Sequence, residues 1–240
     1  MIERLKGERF IDVGNGKILL FLHGYKSQKE SFIRQIGFFS KFYRVVAVDM
    51  RGFGKADQMP YPYALDDYAN EIKNLLDLLG EQKVDVVAHS FGARVLVKLL
   101  SKGETRIDKI IFTGAAGLKP RRRLSHLLKR ASFLLLKIFI PREKLTFLYS
   151  KDYQNLSEVE RQSFKLVVNE HLDKEYKKIN NRCLIIFGDK DRETPPCTAK
   201  KMNKYIKNSK LKFISNTGHF CFCQKPEEFN GAVFSFLLGG

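Results

Sequence analysis

Residues 83–100 constrain the fold of this chain more than any other stretch. Positions 83–88, Lys-Val-Asp-Val-Val-Ala, are short and rich in valine and read as a buried strand. Positions 92–100, Gly-Ala-Arg-Val-Leu-Val-Lys-Leu-Leu, read as a mostly apolar helix. Only His89, Ser90 and Phe91 lie between them, and small residues, Ala88 and Gly92, flank the serine two places before and two after. A strand that passes into a helix over so few residues brings the two backbones close together. A Cβ branch at either flank would clash there, and the serine itself is forced into a strained conformation.

The rest of the chain repeats the same alternation. Residues 8–13 and 17–22 read as strands, joined by Gly14-Asn15-Gly16, which is a hairpin signal. Residues 31–42 have helical spacing at Phe32, Ile36 and Phe39, with Ser31 placed to act as N-cap. A buried strand follows at 43–48. Leu65, Tyr68, Ala69, Ile72, Leu75, Leu76 and Leu79 then keep the i, i+3, i+4, i+7 rule up to Gly80. Further strands are expected at 107–113, 183–187 and 211–215, and further helices at 198–207 and through Phe229, Val233 and Phe236. Strands alternating with helices in this way predict an α/β fold, a mostly parallel central sheet with helices on both faces. The alternation stops between Leu118 and Ile179, where only helical pattern and charge remain. We therefore expect a core in two parts, 1–117 and 180–240, with a helical cap or lid inserted at 118–179.

Composition narrows the class. A length of 240 residues and a hydrophobic content of 44% suit one such domain. The first residues are charged and carry no secretory apolar run. Cysteines at 183, 197, 221 and 223 lack zinc-knuckle spacing and read as reduced thiols of a cytoplasmic protein with no metal. The net charge is +17, and residues 118–151 hold ten Lys or Arg against the single acid Glu143. No nucleic-acid motif accompanies that basic segment, and no nucleic-acid partner is expected.

A serine held between strand and helix by small neighbours is the nucleophile-elbow arrangement. Together with His23-Gly24, Asp49-Met-Arg-Gly-Phe-Gly54, Gly188-Asp-Lys-Asp191 and Gly218-His219, in that order, it resembles the α/β-hydrolase fold family over nearly the whole chain outside the cap. Ala88 stands where the family pattern often has glycine, and Ala56 where relatives often have serine. The resemblance implies a nucleophile, carboxylate and base in the order Ser90, Asp191, His219. A serine hydroxyl is inert until an imidazole takes its proton. Of the five histidines, His219 occupies the family's base position. His89 should diverge from the serine on the elbow, His23 lies in the loop framing the oxyanion site, and His126 and His171 fall in the insertion. Asp191 follows the family spacing of strand, glycine, two residues and Asp; Asp189 is assigned to the turn, and Glu193 is the fallback. The resemblance also implies backbone N–H groups of Tyr25 and Phe91 as oxyanion donors, with their side chains lining the acyl pocket. His23, Leu128 and Leu135 are expected at the substrate pocket. Arg51 reads as a brace, and Arg94 either pairs with Asp49 or Asp85 or reaches a substrate anion.

These features imply a serine hydrolase of carboxylic esters or thioesters that needs no cofactor. The alternatives are a weakly catalytic binding protein or receptor, a C–C bond hydrolase or peptidase of the same fold, and a binder of nucleic acid or membrane using the basic segment. Within that segment Leu124, Leu127, Leu128, Ala131, Leu134, Leu135, Ile138 and Phe139 form one apolar stripe, with Arg122, Arg123, Lys129, Arg130 and Lys137 mainly off it. Such a helix could roof the pocket. Its basic face would draw an anionic substrate or carrier, such as an acyl-CoA, an acyl carrier protein or an acidic lipid surface, over ~10 Å at 0.1 M salt. Reversing Arg122, Arg123 and Arg130 to Glu should then raise KM for an anionic ester and leave a neutral ester of equal chain length unchanged.

Overall fold

The computed structural model describes Leu5 and residues 7–80, 83–119 and 156–239. Among the described residues seven strands form one sheet in the order β1-β3-β2-β4-β5-β6-β7. They are β1 (Phe10–Val13), β2 (Ile18–Leu22), β3 (Arg44–Val48), β4 (Val84–His89), β5 (Ile107–Thr113), β6 (Arg182–Gly188) and β7 (Ser209–Ile214). All neighbours are parallel except β1 and β3. The helices are α1 (Ile33–Phe39), α2 (Leu65–Leu79), α3 (Phe91–Ser101), α4 (Glu158–Asn169), α5 (Asp173–Tyr176), α6 (Pro196–Tyr205), α7 (Cys221–Gln224) and α8 (Pro226–Leu237).

Strand side chains alternate between the faces of the sheet, and the two cores follow that alternation. Leu20, Val46, Val86, Ile110 and Ile185 pack with α2, α3 and α6 on one face. Phe21, Val45, Val87, Ile111 and Ile186 pack with α1 and α8 on the other. Because both faces are covered, the central strands are apolar along nearly their whole length, as the sequence pattern required.

The expected hairpin does not form. β1 runs antiparallel to β3, and β2 lies on the far side of β3, so 14–17 is a crossing turn. Two local facts explain this. Asp12 of β1 receives Nε and Nη2 of Arg44 of β3 at 2.9 and 2.7 Å, with both side chains almost wholly buried. Gly14, at φ +79°, lies so close to the α1–β3 turn that a Cβ would stand 2.1 Å from the Tyr43 carbonyl oxygen. The helix expected at 31–42 is also shorter. A 3₁₀ turn, Lys29–Phe32, precedes α1, and Phe32 rather than Ser31 occupies its N-cap position. The carboxylate of Asp49 takes over as acceptor, receiving the Lys29 N–H at 2.7 Å.

The described residues at the end of the segment expected to form the cap pack into the core. Val167, Leu172, Tyr176 and Ile179 are buried with α3. Leu128 and Leu135, and the stripe and basic residues around them, lie outside the described residues.

Breaking a buried ion pair leaves an uncompensated charge, which costs about 3–5 kcal/mol. Asp12→Ala should therefore lower stability in urea unfolding by about that amount, well beyond the loss of one strand-edge side chain.

Candidate active site

Ser90, Asp191 and His219 follow the carboxyl ends of the parallel strands β4, β6 and β7, where open α/β sheets form their clefts. Ser90 joins β4 to α3 with φ +49° and ψ −105°, a conformation rare for a residue with a Cβ. Gly92 explains how the turn closes. Its N–H donates to the His23 carbonyl at 3.0 Å, and a Cβ there would sit 2.4 Å from the Leu22 carbonyl oxygen. Ala88 is wholly buried.

The Ser90 backbone is tied to the loop after β5. Its N–H donates to the Thr113 carbonyl at 3.1 Å, and its carbonyl accepts from Ala116 N–H at 3.2 Å. Gly114, between these two, lies directly against the His219 ring, where a Cβ would come within 3.0 Å of Nδ1 and Cε1. The elbow and the histidine thus flank one short loop.

His219 donates from Nδ1 to Oδ2 of Asp191 at 2.8 Å. That proton on Nδ1 leaves Nε2 of the neutral ring as an acceptor. Asp191 is 3% exposed and its other oxygen accepts the N–H groups of Glu193 and Thr194, both at 2.9 Å. Burial alone would push this carboxyl up, but the His219 contact and the Thr194 donors bring it below the usual carboxylate value. Asp189 is turned to its loop and accepts the Thr217 N–H at 3.3 Å. Glu193 touches the carboxylate through its backbone N–H. Thr194 was not singled out from the sequence. Its hydroxyl donates within reach of Asp191 Oδ2 (2.9 Å) and the Gly114 carbonyl (3.0 Å), fixing the carboxylate to the loop beside the elbow. The Asp-x-x-Thr spacing, an Asx-type turn, is the signal that could have found it.

Phe91 is the first residue of α3, so its N–H has no acceptor within the helix. Tyr25 sits in the loop that Gly92 holds through His23, which carries its backbone toward the same helix end. The Phe91 side chain is 2% exposed and packs in the core. The Tyr25 ring packs on Phe53, Phe91 and Phe164 at 5.1, 5.8 and 5.1 Å. It also lines a cavity of about 340 Å³ with Lys26, Gln28, Phe53, Met59 and Leu156. That cavity adjoins the loop of Tyr25 and has neither Ser90 nor His219 among its lining residues, so it lies beside the elbow rather than over it.

His23, expected in the substrate pocket, is a structural residue instead. It is wholly buried, donates from Nδ1 to the Gly24 carbonyl at 2.7 Å and accepts the Met50 N–H on Nε2 at 3.0 Å. Both nitrogens are spent on tying the β2 and β3 loops together. Arg94 pairs with neither Asp49 nor Asp85. It lies on the α3 side of the sheet, whereas Asp85 alternates to the other side and receives Lys17 at 2.8 Å. Asp49 receives Lys29 Nζ at 2.7 Å. Arg94 donates instead to the carbonyls of Val167 and Glu170, at 3.0 and 2.8 Å. Arg51 pairs with Glu71 and Asp57. Among the described residues no group of three or more His, Cys, Asp or Glu is gathered so as to hold a metal ion.

A family model described as alpha/beta hydrolase fold matches residues 17–136. An AB hydrolase superfamily protein of Bacillus subtilis, YisY, is 26% identical, covering 94% of this chain and 93% of its own length. A 2-hydroxy-6-oxo-6-(2'-aminophenyl)hexa-2,4-dienoic acid hydrolase of Metapseudomonas resinovorans is 25% identical over 95% of this chain and 87% of its own. Among solved structures, an esterase of Exiguobacterium antarcticum is 25% identical with a TM-score of 0.77, covering 96% of this chain and 95% of its own.

Two buried histidines give a pH prediction. Burial holds His23 below the ordinary histidine value and pushes His89 down to about 3, aided by the nearby His219. In the unfolded chain both titrate near ~6.5. Below that pH the unfolded chain binds more protons, so the stability these residues supply is complete above ~6.5 and drains away as pH falls below it, for His89 down to about 3. The urea midpoint should fall from pH 7 to pH 4, with a shallower slope in His89→Gln.

Proposed function

Because the chain belongs to the α/β-hydrolase fold family, its chemistry is sought at the serine elbow, and we propose that it cleaves carboxylic esters or thioesters through an acyl-Ser90 intermediate. The observation that carries this reading is the 2.8 Å contact between His219 Nδ1 and Asp191, set beside a serine at φ +49°. In the scheme, His219 Nε2 takes the Ser90 hydroxyl proton as Oγ attacks the acyl carbon. The N–H groups of Tyr25 and Phe91 receive the oxyanion, each contributing about 3 kcal/mol. Collapse breaks the bond to the leaving alkoxide or thiolate, which takes the proton from His219. A water then repeats the sequence on the acyl-serine, with His219 again the base, and releases the acid. Asp191 stays ionised throughout and fixes the ring with its proton on Nδ1. The likeness to a known esterase supports the ester reading.

A second reading comes from the dienoic acid hydrolase relative: the same nucleophile and base would cleave a C–C bond next to a carbonyl. A cytoplasmic setting and an anionic acyl carrier as substrate, guided by the basic insertion, complete the proposal. No helix among the described residues is long and apolar enough to cross a membrane.

A chain-length series of p-nitrophenyl and CoA esters, run beside a dienoic acid substrate, tests the assignment. Ser90→Ala should keep the fold and lose at least about four orders of magnitude in kcat; a variant keeping a tenth of the activity would remove Ser90 from the role. Asp191→Asn should cost about 10³–10⁴-fold and Asp189→Asn far less.

A further inference from the structure

One buried titratable group takes no part in that scheme. His89 closes β4 immediately before the nucleophile and is 1% exposed. Strand alternation turns it away from the Ser90 side of the sheet and onto the α1 and α8 face, where its ring meets Phe222 at 5.0 Å and Phe32 at 6.5 Å. Its ring also lies 4.7 Å from that of His219 and 5.0 Å from Phe220. Its Nε2 is 3.2 Å from the backbone carbonyl of His219, a residue 130 places along the chain. A carbonyl only accepts, so Nε2 carries the proton. Nδ1 is then a bare acceptor with no hydrogen-bond partner among the described residues. It faces Gly24, where a Cβ would come within 2.8 Å of it.

This contact matters because of the sheet order. Two strands, β5 and β6, separate β4 from β7. Three strand spacings of about 4.8 Å put roughly 14 Å between the strand that presents the nucleophile and the edge strand that leads to the base. The His219 ring is aimed by Asp191 and Thr194, both from the loop after β6. Its main chain follows an edge strand, the least supported position in the sheet. The His89 bond runs from the nucleophile's own strand to the backbone of the base, bypassing the β6 loop.

Resting on the reading of His219 as the base, the geometry points to His89 as a positioning residue that registers the base to the nucleophile, by donating Nε2–H to the His219 carbonyl and backing its ring. A misplacement of about 1 Å at such a pair can cost 10²-fold in rate. His89 does this as a neutral ring. A charged ring would put a second proton on Nδ1 with no acceptor, beside the imidazolium that His219 becomes during turnover.

The two ring nitrogens allow a test that packing alone would not satisfy. In His89→Gln the side-chain amide places an N–H where Nε2 stands. In His89→Asn the shorter amide ends near the Nδ1 position, facing Gly24. In His89→Phe the ring remains and the donor is lost. All three are made in the full chain and assayed with a neutral p-nitrophenyl ester, below each variant's melting temperature and per active site titrated. A fluorophosphonate measures the Ser90 labelling rate in parallel. The expected result is a fall in kcat of about tenfold or more in the Asn and Phe variants, KM within about twofold, and recovery of most of the rate in Gln. Labelling rates should follow the same order. If the Phe variant does not fold, Asn against Gln carries the comparison. Equal rates in Gln and Asn, or losses that vanish once rates are normalised to titrated sites, would leave His89 a packing residue and overturn the inference. A wild-type protein that is neither labelled at Ser90 nor active would instead sink the reading of His219 as base, and this inference with it.

Discussion

The close approach of α3 to the end of β2 governs this structure. The Gly92 N–H meets the His23 carbonyl at 3.0 Å, and any Cβ at Gly92 would run into the Leu22 carbonyl. With the helix pressed that near the sheet, no relaxed conformation remains for the residue between them, and Ser90 is driven to φ +49°. The same contact holds the loop of Tyr25 beside the first turn of α3. The strained backbone of Ser90 and the closeness of the Tyr25 loop to the first turn of α3 are therefore two results of a single backbone contact.

A second level of organisation is electrostatic and lies out of solvent. Asp49 is wholly buried and gathers the Lys29 ammonium, the Lys29 N–H and the Lys55 N–H at 2.7, 2.7 and 2.9 Å. One carboxylate thereby joins the loop after β2 to the loop after β3. Gly54 passes so near that a Cβ would lie 2.3 Å from it. Lys29 is only 3% exposed; burial would lower its pKa, but Asp49 and Glu30 hold it above the ordinary lysine value. Arg44 with Asp12 does comparable work at the outer end of the sheet.

The parts of this arrangement that were legible in the sequence are those set by periodicity and chain order. Helix α2 and strand β5 fall on the residues their apolar patterns predict, because burial on defined faces leaves one register. The placement of Ser90, Asp191 and His219 after the ends of β4, β6 and β7 was legible from short motifs in order. What escaped is what depends on partners distant in sequence. The Gly14-Asn15-Gly16 turn has a hairpin's composition, yet Asp12 finds Arg44 across β3. Ser31 has a cap's chemistry, yet Asp49 supplies an acceptor there from the loop after β3. Arg94 was offered two carboxylates, one of them on the opposite face of the sheet, and took main-chain carbonyls of α4. Histidine identity alone did not separate His23, which spends both nitrogens on backbone groups, from a pocket residue.

Those carbonyls have a consequence for how such a chain can be rebuilt. Arg94 and Lys98 of α3 hold Val167 and Glu170, while the Gly117 and Ala116 carbonyls receive the Leu172 N–H and the Tyr176 hydroxyl at 2.9 and 2.6 Å. Residues 167–176 are thus riveted to the helix that begins at the serine and to the loop after β5. In a recombined chain, the run of helical sequence places the splice sites for an exchange of that segment at 118 and 179. The rivets move the second cut upstream of α4. A graft that carries away 156–179 removes the core side chains of Val167, Leu172, Tyr176 and Ile179 and strips Arg94 of its acceptors, whereas one that ends before Leu156 leaves those contacts in place.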